Sequence, residues 1–172
     1  MGFISNLLER RKAPERPAAL DVEPGENIVL APVSGRVEGV ETLPDPVFAG
    51  EVMGRTLAIW PSEGRLFSPV SGTVVSAMPH AVGIAGDDGV EVLIHVGIDT
   101  VEMAGDGFTL FAGKGDHVRA GEPLMCFDRE KIQAAGHHDV IMTIVTNSDE
   151  YPEAAVVATD TVTAGSAGIK TK

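Results

Sequence analysis

From residue 28 onward the chain breaks into short apolar or alternating runs, each bounded by Gly, Pro, Asp or Ser. The runs 28–31, 35–41, 56–60, 72–77, 81–85, 90–96, 117–119, 123–127, 140–145 and 156–163 are too short for helices and rich in Val, Ile and Thr, so they predict strands. Only 128–135 carries helix punctuation, with Asp128 in the N-cap position and Gly136 closing the turn. The pattern therefore predicts an all-β domain, a sandwich or barrel, with one short helix. An internal repeat reinforces it. Ala31-Pro-Val-Ser-Gly-Arg-Val37 returns as Ser68-Pro-Val-Ser-Gly-Thr-Val74, five of seven positions identical, which predicts two similar halves packed around a pseudo-two-fold core.

The ends read differently. Residues 1–12 place Phe3, Ile4, Leu7 and Leu8 at helical spacing ahead of Arg10, Arg11 and Lys12, an amphipathic pattern suited either to resting on the domain or to weak contact with a membrane surface. Residues 13–27, rich in Pro, Glu and Ala, read as a linker, with the domain at 28–172. No apolar run approaches the ~20 residues a spanning helix needs, and no secretory signal precedes the domain, so a cytoplasmic location is expected.

Composition narrows the partners. The net charge of −12 disfavours nucleic acid, whose phosphates call for clustered Lys and Arg. A single cysteine, Cys126, set among apolar neighbours, permits neither an internal disulfide nor a cysteine zinc cluster and reads as buried filler. Twenty glycines and eleven prolines against eight Phe, Trp and Tyr residues call for many turns around an aliphatic core.

Of five histidines, His117, His137 and His138 sit in turn-like contexts and read as surface residues. The other two are placed. In the run 90–96 the even positions are Val90, Val92, Ile94 and Val96, which sends Glu91, Leu93 and His95 to the opposite face. Gly97, Asp99 and Thr100 follow directly and can orient the imidazole. His80 lies fifteen residues earlier, a separation suited to adjacent antiparallel strands joined by the turn 86–89. Facing imidazoles have three readings: a structural pair, two ligands of an incomplete zinc site, or nucleophilic catalysis on an electrophile such as a phosphoryl group.

At this point a family resemblance enters. Gly89-Val-Glu-Val-Leu-Ile-His-Val-Gly-Ile-Asp-Thr-Val101 followed by Gly105-Asp-Gly-Phe108 resembles the phosphorylation motif of the glucose-type IIA component of the bacterial sugar phosphotransferase system. The similarity extends through Pro44-Asp-Pro-Val-Phe48, Ser68-Pro-Val-Ser-Gly72, His80-Ala81 and Gly115-Asp-His-Val-Arg-Ala-Gly121. It implies an antiparallel barrel-sandwich hybrid with internal duplication. It implies that His95 accepts phosphate through Nε2 from the phosphocarrier protein HPr, that His80 hydrogen-bonds the phosphoryl group, and that Gly97 and Asp99 orient the site. The group then passes to a cysteine on the EIIB domain of a sugar permease.

The resemblance also implies a partner-binding rim formed by Asp45, Val47, Phe48, Val82, Ile84 and Val101, and no required cofactor. Zinc shared with a partner between His80 and His95 is optional in such proteins, as are regulatory contacts with transporters or kinases. One departure stands out: many relatives carry Thr two positions before the second histidine, where this chain has Met78. Two rival readings are a lipoyl or biotinyl carrier domain, whose modified lysine would have to be Lys114, and a zinc peptidase, which lacks a third ligand.

Overall fold

The computed structural model describes residues 13–172, so the amphipathic segment at 1–12 lies outside the described residues. In chain order the elements are β1 (Ile28–Leu30), β2 (Gly35–Glu38), α1 (Pro46–Ala49), β3 (Arg55–Pro61), β4 (Arg65–Phe67), β5 (Gly72–Met78), β6 (Ala81–Gly86), β7 (Glu91–Val96), β8 (Phe108–Leu110), β9 (His117–Val118), β10 (Pro123–Phe127), α2 (Arg129–Ala134), β11 (Ile141–Val145), β12 (Ala155–Val156), β13 (Thr161–Val162) and β14 (Ala167–Lys170). An eight-stranded sheet runs β13-β2-β3-β11-β7-β6-β5-β9, and two three-stranded sheets run β1-β14-β12 and β4-β10-β8. All the strand pairs are antiparallel. The large sheet stays open at β13 and β9, so among the described residues the ladders form packed sheets and no closed barrel.

The repeat read from the sequence is the visible part of a deeper duplication. The order of the large sheet is palindromic about the β11–β7 pair: β2 answers β5, β3 answers β6 and β13 answers β9. Hydrogen bonds repeat accordingly. Leu30 N–H donates to Pro69 C=O (2.9 Å) while Phe67 N–H donates to Pro32 C=O (2.8 Å), a reciprocal exchange between the two repeat copies. Ser34 Oγ accepts from Ala164 N–H and Ser71 Oγ from Ala120 N–H, both at 2.9 Å. Gly35 and Gly72 occupy matching places where strands approach closely: a Cβ on Gly35 would stand 2.1 Å from the Trp60 carbonyl, and one on Gly72 2.2 Å from that of Ala85.

β11 explains why one strand can lack alternation. All five of its residues are buried because both faces are covered. Ile141 and Val145 face the main core with Val92, Ile94 and Val96 of β7. Met142 and Ile144 face a second, smaller core with Leu43, Phe48, Ala58, Ile98 and Val140. That second core exists because residues 40–53 fold across the outside of the sheet, through a 3-10 turn at Val40–Thr42 and then α1. Asp45 starts α1 by accepting from Val47 N–H (2.8 Å) and Phe48 N–H (3.3 Å), with Pro46 in the first helical turn, and the cap is worth about 1 kcal/mol.

Several sequence expectations are corrected. The run 35–41 ends as a strand at Glu38, because the chain turns into the 3-10 segment. The run 156–163 is two strands in different sheets, separated by a left-handed turn at Asp160 (φ 55°). β4, β8, β14 and α1 were not anticipated; each has three or four residues, too few to show a period. The helix after Asp128 is present, with the Asp128 carboxylate accepting from Lys131 N–H.

Residues 13–27 form no helix or strand yet lie against the domain. Leu20 N–H donates to Gly121 C=O at 2.9 Å, and Leu20 and Val22 pack on Gly121 and Gly165. Those two glycines occupy corresponding places in the duplication and have positive φ (86° and 92°), so this strap lies across both halves. A chain begun at residue 24 should lose the Leu20–Gly121 hydrogen bond and the partial burial of two aliphatic side chains, about 2 kcal/mol. Thermal unfolding should then fall by roughly 4–8 °C. An unchanged Tm would show the strap to be energetically idle.

Candidate functional site

β6 and β7 are neighbours, with Ala81 opposite His95, and the Val96 N–H donates to the His80 carbonyl at 2.8 Å. His80 in the turn between β5 and β6 therefore meets His95 near the end of β7. Their ring centroids are 5.2 Å apart at an interplanar angle of 73°. His95 Nδ1 lies 2.8 Å from the Gly97 carbonyl, which can only accept, so Nδ1 carries the proton and Nε2 keeps its lone pair.

The loop that supplies this carbonyl is tightly specified. Gly97 has φ 76°, and a Cβ there would lie 2.4 Å from Thr100 Cγ2 and 2.8 Å from the His138 carbonyl. Asp99 takes a left-handed conformation (φ 60°) that reverses the chain, and the buried Thr100 hydroxyl donates back to the Val96 carbonyl. Gly97 and Ile98 N–H donate to Val140 and His138 carbonyls at 2.8 and 3.0 Å. Hydrogen bonds on both sides thus fix the acceptor of the His95 proton.

From the other side the second core delivers Phe48, whose ring lies 5.1 Å from that of His95 at a tilt of 55°. Burial holds both imidazoles below the usual 6.5, so each is neutral near pH 7. For His95 the Gly97 bond and the Asp45 and Asp99 carboxylates pull weakly the other way, while His80 adds to the depression.

The rim expected from the sequence is placed only in part. Val47 (44% exposed) and Val101 (62%) present apolar surface on elements flanking the pair, as does Met78 (44%). Val82 and Ile84 are 0% and 1% exposed and belong to the main core, because the alternation of β6 turns them to the face away from His95. Phe48 is mostly buried and contributes through its ring contact.

The other ionisable groups lie apart from the pair. His117 pairs with Asp87 at 2.9 Å on the surface, and burial pushes the Cys126 thiol up, which keeps it unreactive. His138 is exposed, as expected, but His137 is half-buried, 3.6 Å from Glu102. Among the described residues no cluster of three or more His, Cys, Asp or Glu side chains is arranged to hold a metal ion. The two imidazoles offer at most two zinc ligands, so a tetrahedral set would need donors from a partner.

A neutral pair of rings, one with a free Nε2 and a fixed tautomer, beside exposed apolar surface, is suited to receiving an electrophile from another macromolecule. The comparisons agree in kind. Residues 27–151 match the family described as phosphoenolpyruvate-dependent sugar phosphotransferase system, EIIA 1. The glucose-specific EIIA component of Bacillus anthracis is 41% identical over 143 residues, 82% of this chain and 87% of that protein. The beta-glucoside-specific EIIBCA component of Bacillus subtilis (strain 168) is 44% identical over 131 residues, 75% of this chain but only 22% of that longer protein. Among solved structures, glucose permease IIA from Mycoplasma capricolum superposes with a TM-score of 0.74 at 32% identity, covering 83% of this chain and 93% of that one. With the match spanning most of the domain and both halves of the site, the chain belongs to the EIIA 1 family of the phosphoenolpyruvate-dependent sugar phosphotransferase system.

Proposed function

We propose that this EIIA protein, a phosphocarrier in sugar uptake, takes a phosphoryl group on His95 Nε2 from the phosphocarrier protein HPr and passes it to a cysteine of an EIIB domain. The observation that carries this reading is the 2.8 Å bond from Nδ1–H to the Gly97 carbonyl, which leaves Nε2 as the nucleophilic atom. In the first transfer the P–N bond on HPr breaks as a new P–N bond forms at Nε2. In the second, Nε2 is the leaving group and the thiolate gains the P–S bond. Both steps depend on positioning and charge stabilisation more than on covalent help. His80, with its ring against that of His95, donates a hydrogen bond to phosphoryl oxygens in transit.

The flanking surface has a separate task. Val47, Met78 and Val101 provide apolar contact for docking, and with Phe48 they keep water from the phosphoramidate. Asp45 and Asp99 supply negative charge beside the pair for a cationic partner side chain. A relative that joins EIIB, C and A parts in one chain supports transfer from A to B as the outgoing step. Family membership replaces the lipoyl carrier and zinc peptidase readings, and location in the cytoplasm follows from the same proposal. Zinc bound between His80 and His95 would require a partner's donor. Any regulatory contacts with transporters or kinases would use this same docking face.

The test is incubation with phosphoenolpyruvate, enzyme I and HPr, followed by mapping of an acid-labile phosphate. Phosphate on His95 supports the reading, and phosphate elsewhere or nowhere overturns it. A pH dependence follows from the depressed pKa. The folded state prefers neutral His95 and His80, so their contribution to stability is complete above 6.5 and is lost as pH falls through the lowered folded values. Phosphoryl acceptance should accordingly hold its plateau to below pH 6.5. Phe48→Ala, which admits water to the ring, should shift the His95 titration upward toward 6.5 when followed by ring nitrogen NMR.

A further inference from the structure

A second cleft, of about 580 Å³, opens where β2, β3 and the residues after α2 meet, and the phosphocarrier reading leaves it without a role. Trp60 lies in it, and its indole Nε1 is buried without a hydrogen-bond partner among the described residues. Arg36 sits directly across from Trp60 in the β2–β3 ladder. Arg129 comes from the start of α2, its Nε held 2.7 Å from the buried Asp139 carboxylate, so the terminal Nη groups are left pre-oriented for a ligand. Gln133 Nε2 also donates to Asp139, at 3.3 Å. The exposed ring of His138 lies T-shaped to the indole, 5.8 Å between centroids, and the buried N–H would reach an acceptor in the cleft only once side chains beside it turned.

We propose that this cleft binds a small phosphorylated sugar, with Arg36 and Arg129 on the phosphate and Trp60 against the sugar ring. Each guanidinium already meets one carboxylate, Arg36 that of Glu38 at 2.8 Å and Arg129 that of Asp139 at 2.7 Å, and each has further N–H donors to share with a phosphate. An aromatic face with an unpaired donor suits a ligand that is apolar on its C–H face and bears hydroxyl acceptors. The cleft also shares a backbone bond with the reactive loop, since the His138 carbonyl accepts from Ile98 N–H beside Gly97. Occupancy should therefore be sensed at the His95 end.

Because Trp60 is the only tryptophan, a ¹⁵N-labelled full chain gives one indole signal to follow. Titration with glucose 6-phosphate should move that signal saturably, together with the Ile98 and Gly97 amides, while inorganic phosphate binds at least about tenfold more weakly and glucose produces no saturable shift. Arg36→Gln, a change at an exposed residue paired only with Glu38, should weaken the binding about tenfold with the amide spectrum otherwise intact. No saturable shift up to about 10 mM glucose 6-phosphate, or an affinity unchanged in Arg36→Gln, overturns the proposal. The titration needs no phosphoryl donor, so its failure would leave the His95 reading untouched.

Discussion

His95→Ala should accept no phosphoryl group from HPr, while His80→Ala should still be phosphorylated yet pass the group to EIIB about 10²–10³ times more slowly. The asymmetry follows from the geometry. His95 has Nδ1 tied to the Gly97 carbonyl, which leaves the lone pair on Nε2. Among the described residues His80 shows no such bond, and its ring lies 5.2 Å from that of His95, where the proposed transfer would need a hydrogen-bond donor. Intact-mass measurement after incubation with the donor system reads the first variant, and rapid-quench transfer to a purified EIIB domain reads the second. Acceptance retained at full rate by His95→Ala would remove His95 from the centre of the mechanism. Equal loss of acceptance and onward transfer in His80→Ala would make His80 a part of the docking surface instead.

Gly97→Ala should be the most damaging small substitution near the site. The backbone there has φ 76°, and the added methyl would meet Thr100 Cγ2 at 2.4 Å and the His138 carbonyl at 2.8 Å. Left-handed strain alone costs on the order of 1–3 kcal/mol, and relief of the contacts must move the very loop whose carbonyl holds the His95 proton. Unfolding in urea should show a stability loss of about 2–4 kcal/mol. The fraction that remains folded should accept phosphate at least about tenfold more slowly, because a tautomer no longer fixed places the proton on Nε2 part of the time. A variant as stable as the parent and as fast would show that the loop does not set the tautomer.

The β6–β7 hairpin was legible in the sequence because its signals were local: alternation over 90–96, a Gly-Asp-Asp-Gly turn, and two histidines at matching distances from it. Phe48 was assigned to a rim but not to a ring contact with His95, since that contact depends on residues 40–53 crossing the outside of the sheet, which no period announces. Val82 and Ile84 were misplaced for a related reason. They were placed on the rim with Val47 and Phe48, whereas the pairing of β6 with β7 turns them to the main core. β11 was legible as the apolar run 140–145, although it shows no alternation because it is covered on both faces. The strap at 13–27 was hidden by its composition, as Pro and Glu conceal the two aliphatic side chains that dock it.

The palindromic sheet also means that the frame around the His80–His95 pair is present twice. Where Ala81 stands opposite His95 in one half, the ladder of the other half sets Thr56 opposite Ile144, which is wholly enclosed. The other half repeats the local bonding as well, with a Ser148 hydroxyl donating to the Val145 carbonyl much as Thr100 donates to that of Val96. Chemistry in this fold is an asymmetry written onto a symmetric frame.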